Sequence, residues 1–167
     1  MFRKVEDFLA GYRQLSESTA RMMAALTDGN LKQPVAEGHR TLGHVAWHIA
    51  ATVPEMMNRV GVGIEGLDEE TPPPAKAAEI REAYEKVSAE LIEKIRAGWT
   101  DETLEQTDEM YGETWPRGLT LSILMSHQVH HLGQMSVLLR QAGAAVPGIF
   151  GPSKEEWSKY GMDTPPF

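Results

Sequence analysis

Four long stretches of this chain repeat apolar residues at steps of three and four, and no stretch alternates long enough to make a convincing strand. That pattern constrains the fold more than any other feature. A period near 3.6 lets a helix bury one stripe and solvate the rest, whereas a half-buried strand needs a period of two. The first stretch covers 4–26, with Val5, Phe8, Tyr12, Leu15, Met22 and Leu26 on its stripe. Asp28-Gly29-Asn30 stops it, because Gly and Asn accept left-handed backbone at a helix end. The second covers 41–59, with Thr41 as N-cap or first-turn residue and Leu42, Val45, Ile49, Val53 and Met56 on its stripe. Pro54 lies inside it, deletes one backbone hydrogen bond and crowds the preceding turn, so a kink or an early end is expected there. The third covers 75–97, with Ile80, Tyr84, Val87, Leu91 and Ile95 inward and a run of Glu, Lys and Arg outward. The fourth covers 119–141 and closes at Gly143.

Between these helices the sequence predicts long connections. Gly61, Gly63, Gly66 and Pro72-Pro73-Pro74 mark one, over 61–74. Residues 99–118 read as an irregular loop with Gly112, Pro116 and Gly118 as turn residues. After the fourth helix, Ser153-Lys154-Glu155-Glu156 has the pattern of a short capped helix, Ser153 capping and Glu156 reaching back. There is no repeat or domain linker, so 1–167 reads as a single all-α domain, a four-helix bundle with long connections and a short C-terminal helix.

Several functions are excluded by what the chain lacks. It has no cysteine, which removes disulfides, thiolate metal sites, iron–sulfur clusters and a cysteine nucleophile. A net charge of −8 argues against nucleic acid as a partner. No apolar run approaches the ~20 residues that span a bilayer. The first residues, Met1 to Asp7, mix charges and lack the apolar centre of a signal peptide. A cytoplasmic protein with no membrane partner is the expectation.

The chemical signal is histidine. Five of the six histidines, His44, His48, His127, His130 and His131, fall in two helices, and His39 precedes them. His127 and His131 are one turn apart on one helix face, at positions where Leu124, Gln134 and Leu138 continue the core stripe. An imidazole at a core position needs both nitrogens satisfied, and a metal on one with a hydrogen bond on the other achieves that. The pair alone is a weak signal, and Gln128 stands where a zinc protease helix would carry glutamate. His48 strengthens it. It lies near the inner edge of the second helix, at a depth that lets it meet the pair in either an antiparallel or a parallel arrangement.

The expected ligands are therefore His48, His127 and His131 around one divalent ion. His44, one turn before His48, is a rival that would close the site, but a place at the bundle end or in solvent suits it better. His130 reads as a hydrogen-bonding or rim residue and His39 as exposed. Gln134 either orients a ligand or is a buried amide satisfied by backbone, the second being favoured. No general base stands out. Tyr12, Tyr111, Asp108 and Glu109 are candidates that read better as structural or exposed.

The run His127-Gln128-Val129-His130-His131-Leu132-Gly133-Gln134, with Leu138-Leu139-Arg140-Gln141-Ala142-Gly143 after it, resembles the closing helix of the DinB/YfiT-like proteins. Thr41-Leu42-Gly43-His44-Val45-Ala46-Trp47-His48-Ile49-Ala50 resembles that family's second-helix motif, whose histidine falls on His48. The tail from Val146 to Trp157 is similar to that of some members. The resemblance implies an up-down-down-up bundle, often dimeric, with nickel or zinc on three histidines. The family position matching His44 is commonly another residue. Some members transfer groups to low-molecular-weight thiols, so a small-molecule substrate, such a thiol and a homodimer are expected here; Met56, Met57 or the Trp-containing tail are candidate dimer surfaces, with a place in the core as the alternative for each. A metal-dependent hydrolase and a non-catalytic metal-binding stress-response bundle are the alternatives.

Overall fold

The computed structural model describes residues 1–67 and 70–166. Asp68 and Glu69 of the expected 61–74 connection lie outside the described residues. Four helices carry the fold: α1 (Val5–Ala24), α2 (Leu42–Arg59), α3 (Ala77–Gly98) and α4 (Arg117–Gln141). Three short 3-10 turns, Asn30–Lys32, Asp101–Glu105 and Trp157–Tyr160, punctuate the connections. No helix among the described residues is long and apolar enough to cross a membrane.

The helix ends fix the topology. At one end of the bundle, Phe2 N–H donates to Gly118 O at 3.0 Å and Val5 N–H to Asp101 Oδ1 at 2.9 Å, joining the start of α1 to the end of α3 and the start of α4. At the other end, Ala77 N–H donates to Asp28 Oδ1 at 2.9 Å and Lys76 pairs with Asp28 at 2.8 Å, joining the end of α1 to the start of α3. Asp28 thus caps the start of α3, while α1 itself ends earlier, at Ala24, and Gly29 (φ −73°) does not take the left-handed backbone expected of it. Thr41 caps α2 by accepting from His44 N–H. The order is up-down-down-up, with α2 antiparallel to α4. Gly118 is required at its position, because a Cβ there would stand 2.2 Å from Phe2 O.

Two expectations for this region are narrowed. Pro54 does not end α2, which continues to Arg59. Val53, Met56 and Met57 are buried on both sides of it, and that packing holds the turn that lacks a hydrogen bond. The same burial removes Met56 and Met57 (2% and 0% exposed) as a dimer surface.

The expected irregular loop contains an antiparallel hairpin, β1 (Thr107–Met110) and β2 (Glu113–Pro116). Met110 pairs with Glu113, leaving Tyr111-Gly112 as a two-residue turn with φ of 55° and 87°. This is the turn whose twist suits a hairpin, and it needs left-handed backbone at both residues. The strands are short and mostly polar, so they show no period-two signal. Tertiary contacts hold them: Met110 is buried, Arg117 forms two hydrogen bonds to Asp108 at 2.8 and 3.1 Å, and Tyr111 reaches α2.

The core has two apolar clusters. One, between the α2 start and the α4 end, contains Leu42, Ile49, Ile80, Leu132 and Met135. The other, toward the hairpin, contains Phe8, Val53, Met57, Leu91, Leu121 and Leu124. A polar layer lies where they meet. Gln128 on α4 is 2% exposed and donates from Nε2 to Thr19 Oγ1 and to Tyr84 Oη, each at 2.7 Å. In the tail, Glu156 accepts from Ser153 N–H at 3.1 Å as expected, but Ser153 Oγ makes no capping hydrogen bond and the helical turn begins only at Trp157, which corrects the expected cap.

Candidate metal centre

The residue before Gln128 faces another way. His127 and His131 on α4 point toward α2, where His48 lies six residues into its helix. The antiparallel pairing brings the three rings together. His48 Nε2 is 3.2 Å from His127 Nε2, and His131 Nε2 is 3.0 Å from His127 Nε2. The rings meet edge to face at interplanar angles of 69–89°. His131 is buried, while His48 and His127 are half-buried, so the cluster lies at the wall of the bundle with one side toward solvent.

These nitrogens have no protons to spare. Burial, then the neighbouring His131, holds both His48 and His127 down at about 4 from an ordinary 6.5. His131 is also lowered, chiefly by burial. All three rings are therefore neutral near pH 7, each with one ring proton. His131 Nδ1 lies 2.7 Å from Gln134 Oε1. A carbonyl oxygen only accepts, so Nδ1 carries the His131 proton and Nε2 presents a lone pair. His127 Nε2 faces two other Nε2 atoms and can give a hydrogen to one at most. At least one of the two short nitrogen–nitrogen contacts is therefore left without a hydrogen of its own, and a cation among the three nitrogens would satisfy it.

The spacing suits a cation there. Bonds of ~2.0–2.1 Å put neighbouring donors about 3.4 Å apart in a tetrahedral set and about 2.9 Å apart on an octahedral face. The observed 3.0 and 3.2 Å fall between the two. Among the described residues these three histidines are the group of donors close enough to hold one ion.

The other named residues take different places. Gln134 accepts from a candidate ligand, so the reading of it as an amide satisfied by backbone is corrected. Its Nε2 lies 3.3 Å from His130 Nε2, which makes exposed His130 a rim residue that steadies Gln134. His44 is exposed, with Nδ1 on Thr41 Oγ1 at 2.8 Å, and is outside the group of three. His39 is exposed. Tyr12 is wholly buried and burial pushes its hydroxyl well above 10, so it stays protonated. Asp108 is paired with Arg117, and Glu109 accepts from Thr114 at 2.7 Å.

Sequence reasoning missed two neighbours. Glu55 lies two turns beyond His48 and its charge acts on both His48 and His127 in the direction opposite to burial. It accepts from Arg59 and from Tyr111, each at 2.6 Å. The seven-residue interval from His48 is the signal that places Glu55 on that face. Arg40, just before the α2 cap, lowers His48 and His131 through its charge, and no spacing rule points to it.

The chain matches known proteins along its whole length. A sequence profile described as DinB family matches residues 1–164. An uncharacterised Bacillus subtilis protein, YrdA, is 37% identical over 165 residues, covering 99% of each chain. The crystal structure of a DinB-like protein from Bacillus cereus is 40% identical, with a TM-score of 0.87 over 90% of this chain and all of that one. A second DinB-like structure, YjoA of Bacillus subtilis, is 14% identical with a TM-score of 0.69 over 86% of this chain and 97% of that one, a likeness of fold.

Proposed function

This chain belongs to the DinB family, and from that premise we propose that it binds nickel or zinc through His48, His127 and His131 and uses the ion as a metal-dependent transferase acting with a low-molecular-weight thiol. The observation that carries the reading is the convergence of three neutral Nε2 atoms, with Gln134 fixing the His131 tautomer. A divalent ion held by these three imidazoles would supply Lewis acidity, which would favour the thiolate form of a small-molecule thiol. The chain has no cysteine, so a thiol nucleophile has to come from a small molecule. His44 does not close the group, which supports a reactive site over a sealed structural one.

The chain's own residues have three tasks. Gln134 and His130 hold His131 with its lone pair outward. Burial keeps His48 and His127 unprotonated at neutral pH. Glu55, within electrostatic reach of both, offsets part of the positive charge that an ion brings. Hydrolysis of a small substrate is the second reading, since water can enter where a thiol can.

Metal analysis of tag-free protein tests the first step, with one equivalent of zinc or nickel expected and none in His127→Ala. Thiol consumption with a panel of electrophiles, with and without added metal, tests the second. Thiol-independent, metal-dependent turnover would favour the hydrolase, and no metal-dependent turnover on any substrate would overturn both.

A further inference from the structure

A cavity of about 360 Å³ borders His48 on the side away from the hairpin, between the start of α2 and the 70–73 segment. Its wall includes Arg40, Trp47, His48, Glu70 and Thr71. The volume is near the lower end of the ~300–1,000 Å³ found for small-molecule sites. Trp47 gives it a fixed aromatic face. The indole is 8% exposed, and its Nε1–H donates to Thr71 O at 3.0 Å, pinning the opposite wall to α2. Arg40 gives it a cation. Its side chain is exposed and makes no hydrogen bond or ion pair among the described residues. Carboxylates are not scarce in this chain, with 24 acidic against 16 basic residues, so a guanidinium left over at a cavity is available to a ligand. Its charge is felt at His48 and His131, so it stands within electrostatic reach of the histidine cluster.

We propose that this cavity is the subsite for the part of the substrate remote from the reacting atom, and that it selects a small carboxylate, with Arg40 pairing the carboxylate and Trp47 lying against the carbon skeleton. The proposal rests on the reading of the three histidines as the reaction centre. A guanidinium fork fits carboxylate and phosphate alike. Glu70 on the same wall repels a doubly charged phosphate more than a singly charged carboxylate, which favours the carboxylate of the two. Arg40 and Trp47 are then specificity-determining residues for whichever group is transferred.

Benzoate and benzamide, matched in size and different in charge, are suitable probes. Each is titrated into ¹⁵N-labelled protein, metal-free and zinc-loaded, with the four indole N–H signals as the readout. Benzoate is expected to shift the Trp47 signal, leave those of Trp99, Trp115 and Trp157 in place, and bind about tenfold more tightly than benzamide. Arg40→Ala should erase the preference and leave benzamide binding unchanged; Arg40→Lys should keep part of it. Equal binding of the two probes, a preference that survives Arg40→Ala, or benzoate shifts at another indole overturns the proposal. Zinc content is measured on the same samples. If benzoate binds at Trp47 but no zinc is taken up, the metal reading falls and the carboxylate site stands.

Discussion

Two adjacent residues of α4 face two kinds of buried polar environment. Gln128 turns into the bundle, where both hydrogens of its amide are taken by Thr19 and Tyr84. Its Oε1 is the end of the amide with no partner among the described residues. His127 turns toward α2, where its Nε2 meets two more nitrogens of the same kind. The first cluster is nearly complete within the protein, because donors meet acceptors. The second brings three like nitrogens together, which cannot all be paired with one another and could share one ion. A buried polar group reports structure when its partners are complementary, and a ligand when they are alike.

This contrast predicts opposite outcomes for the two residues. The largest effect is expected on metal binding: His127→Ala should lower affinity by more than about 100-fold, since even outer contacts to a ligand are worth 10–100-fold. The metal-free variant should stay within about 1 kcal/mol of the parent, because it removes a lone-pair conflict along with the ring. Calorimetric titration with zinc and thermal unfolding in chelator measure the two. A variant that unfolds but keeps its zinc affinity would erase the distinction.

Gln128→Ala should do the reverse. It leaves a hole and strips Thr19 and Tyr84 of a donor, for a cost of about 2–4 kcal/mol and a Tm lower by on the order of 10 °C. Zinc affinity should remain within about twofold. A Gln128 variant that loses metal would show that the layer and the cluster are one unit.

Gln134→Ala is intermediate, a residue that completes the His131 hydrogen bond without holding the ion. An expected fall of about 10–100-fold in metal affinity, with unfolding little changed, separates orientation from ligation. No loss would return Gln134 to a surface role.

A further effect is in the pH dependence of the metal-free protein. His48 and His127 are held at about 4 in the fold against an ordinary 6.5. The unfolded chain therefore binds more protons between those values, and stability must fall as pH drops from 6.5 toward 4. Denaturant unfolding across that window should show the slope, shallower in His48→Ala and unchanged in Gln128→Ala. A slope that steepens on removing His48 would contradict the cause assigned to the shift.

The amino-acid sequence by itself determined the four helices, because an amphipathic stripe of five or six turns specifies a helix and its buried face locally. It also singled out His48, His127 and His131, since two fall one turn apart on a core stripe and the third on a facing one. Tertiary structure decided the rest. The hairpin at 107–116 was invisible because its strands have no continuous apolar face and are held by the burial of Met110 and by Arg117 and Glu55 from outside them. Helix α2 passes Pro54 because its neighbours are buried, a fact no local rule contains. Depth along two helices left parallel and antiparallel pairing equally able to join the histidines, and contacts at the bundle ends chose. Above all, residue type could not say whether His127 and Gln128 had partners. That depends on which atoms arrive from α1, α2 and α3, and only the folded arrangement of those helices brings them there.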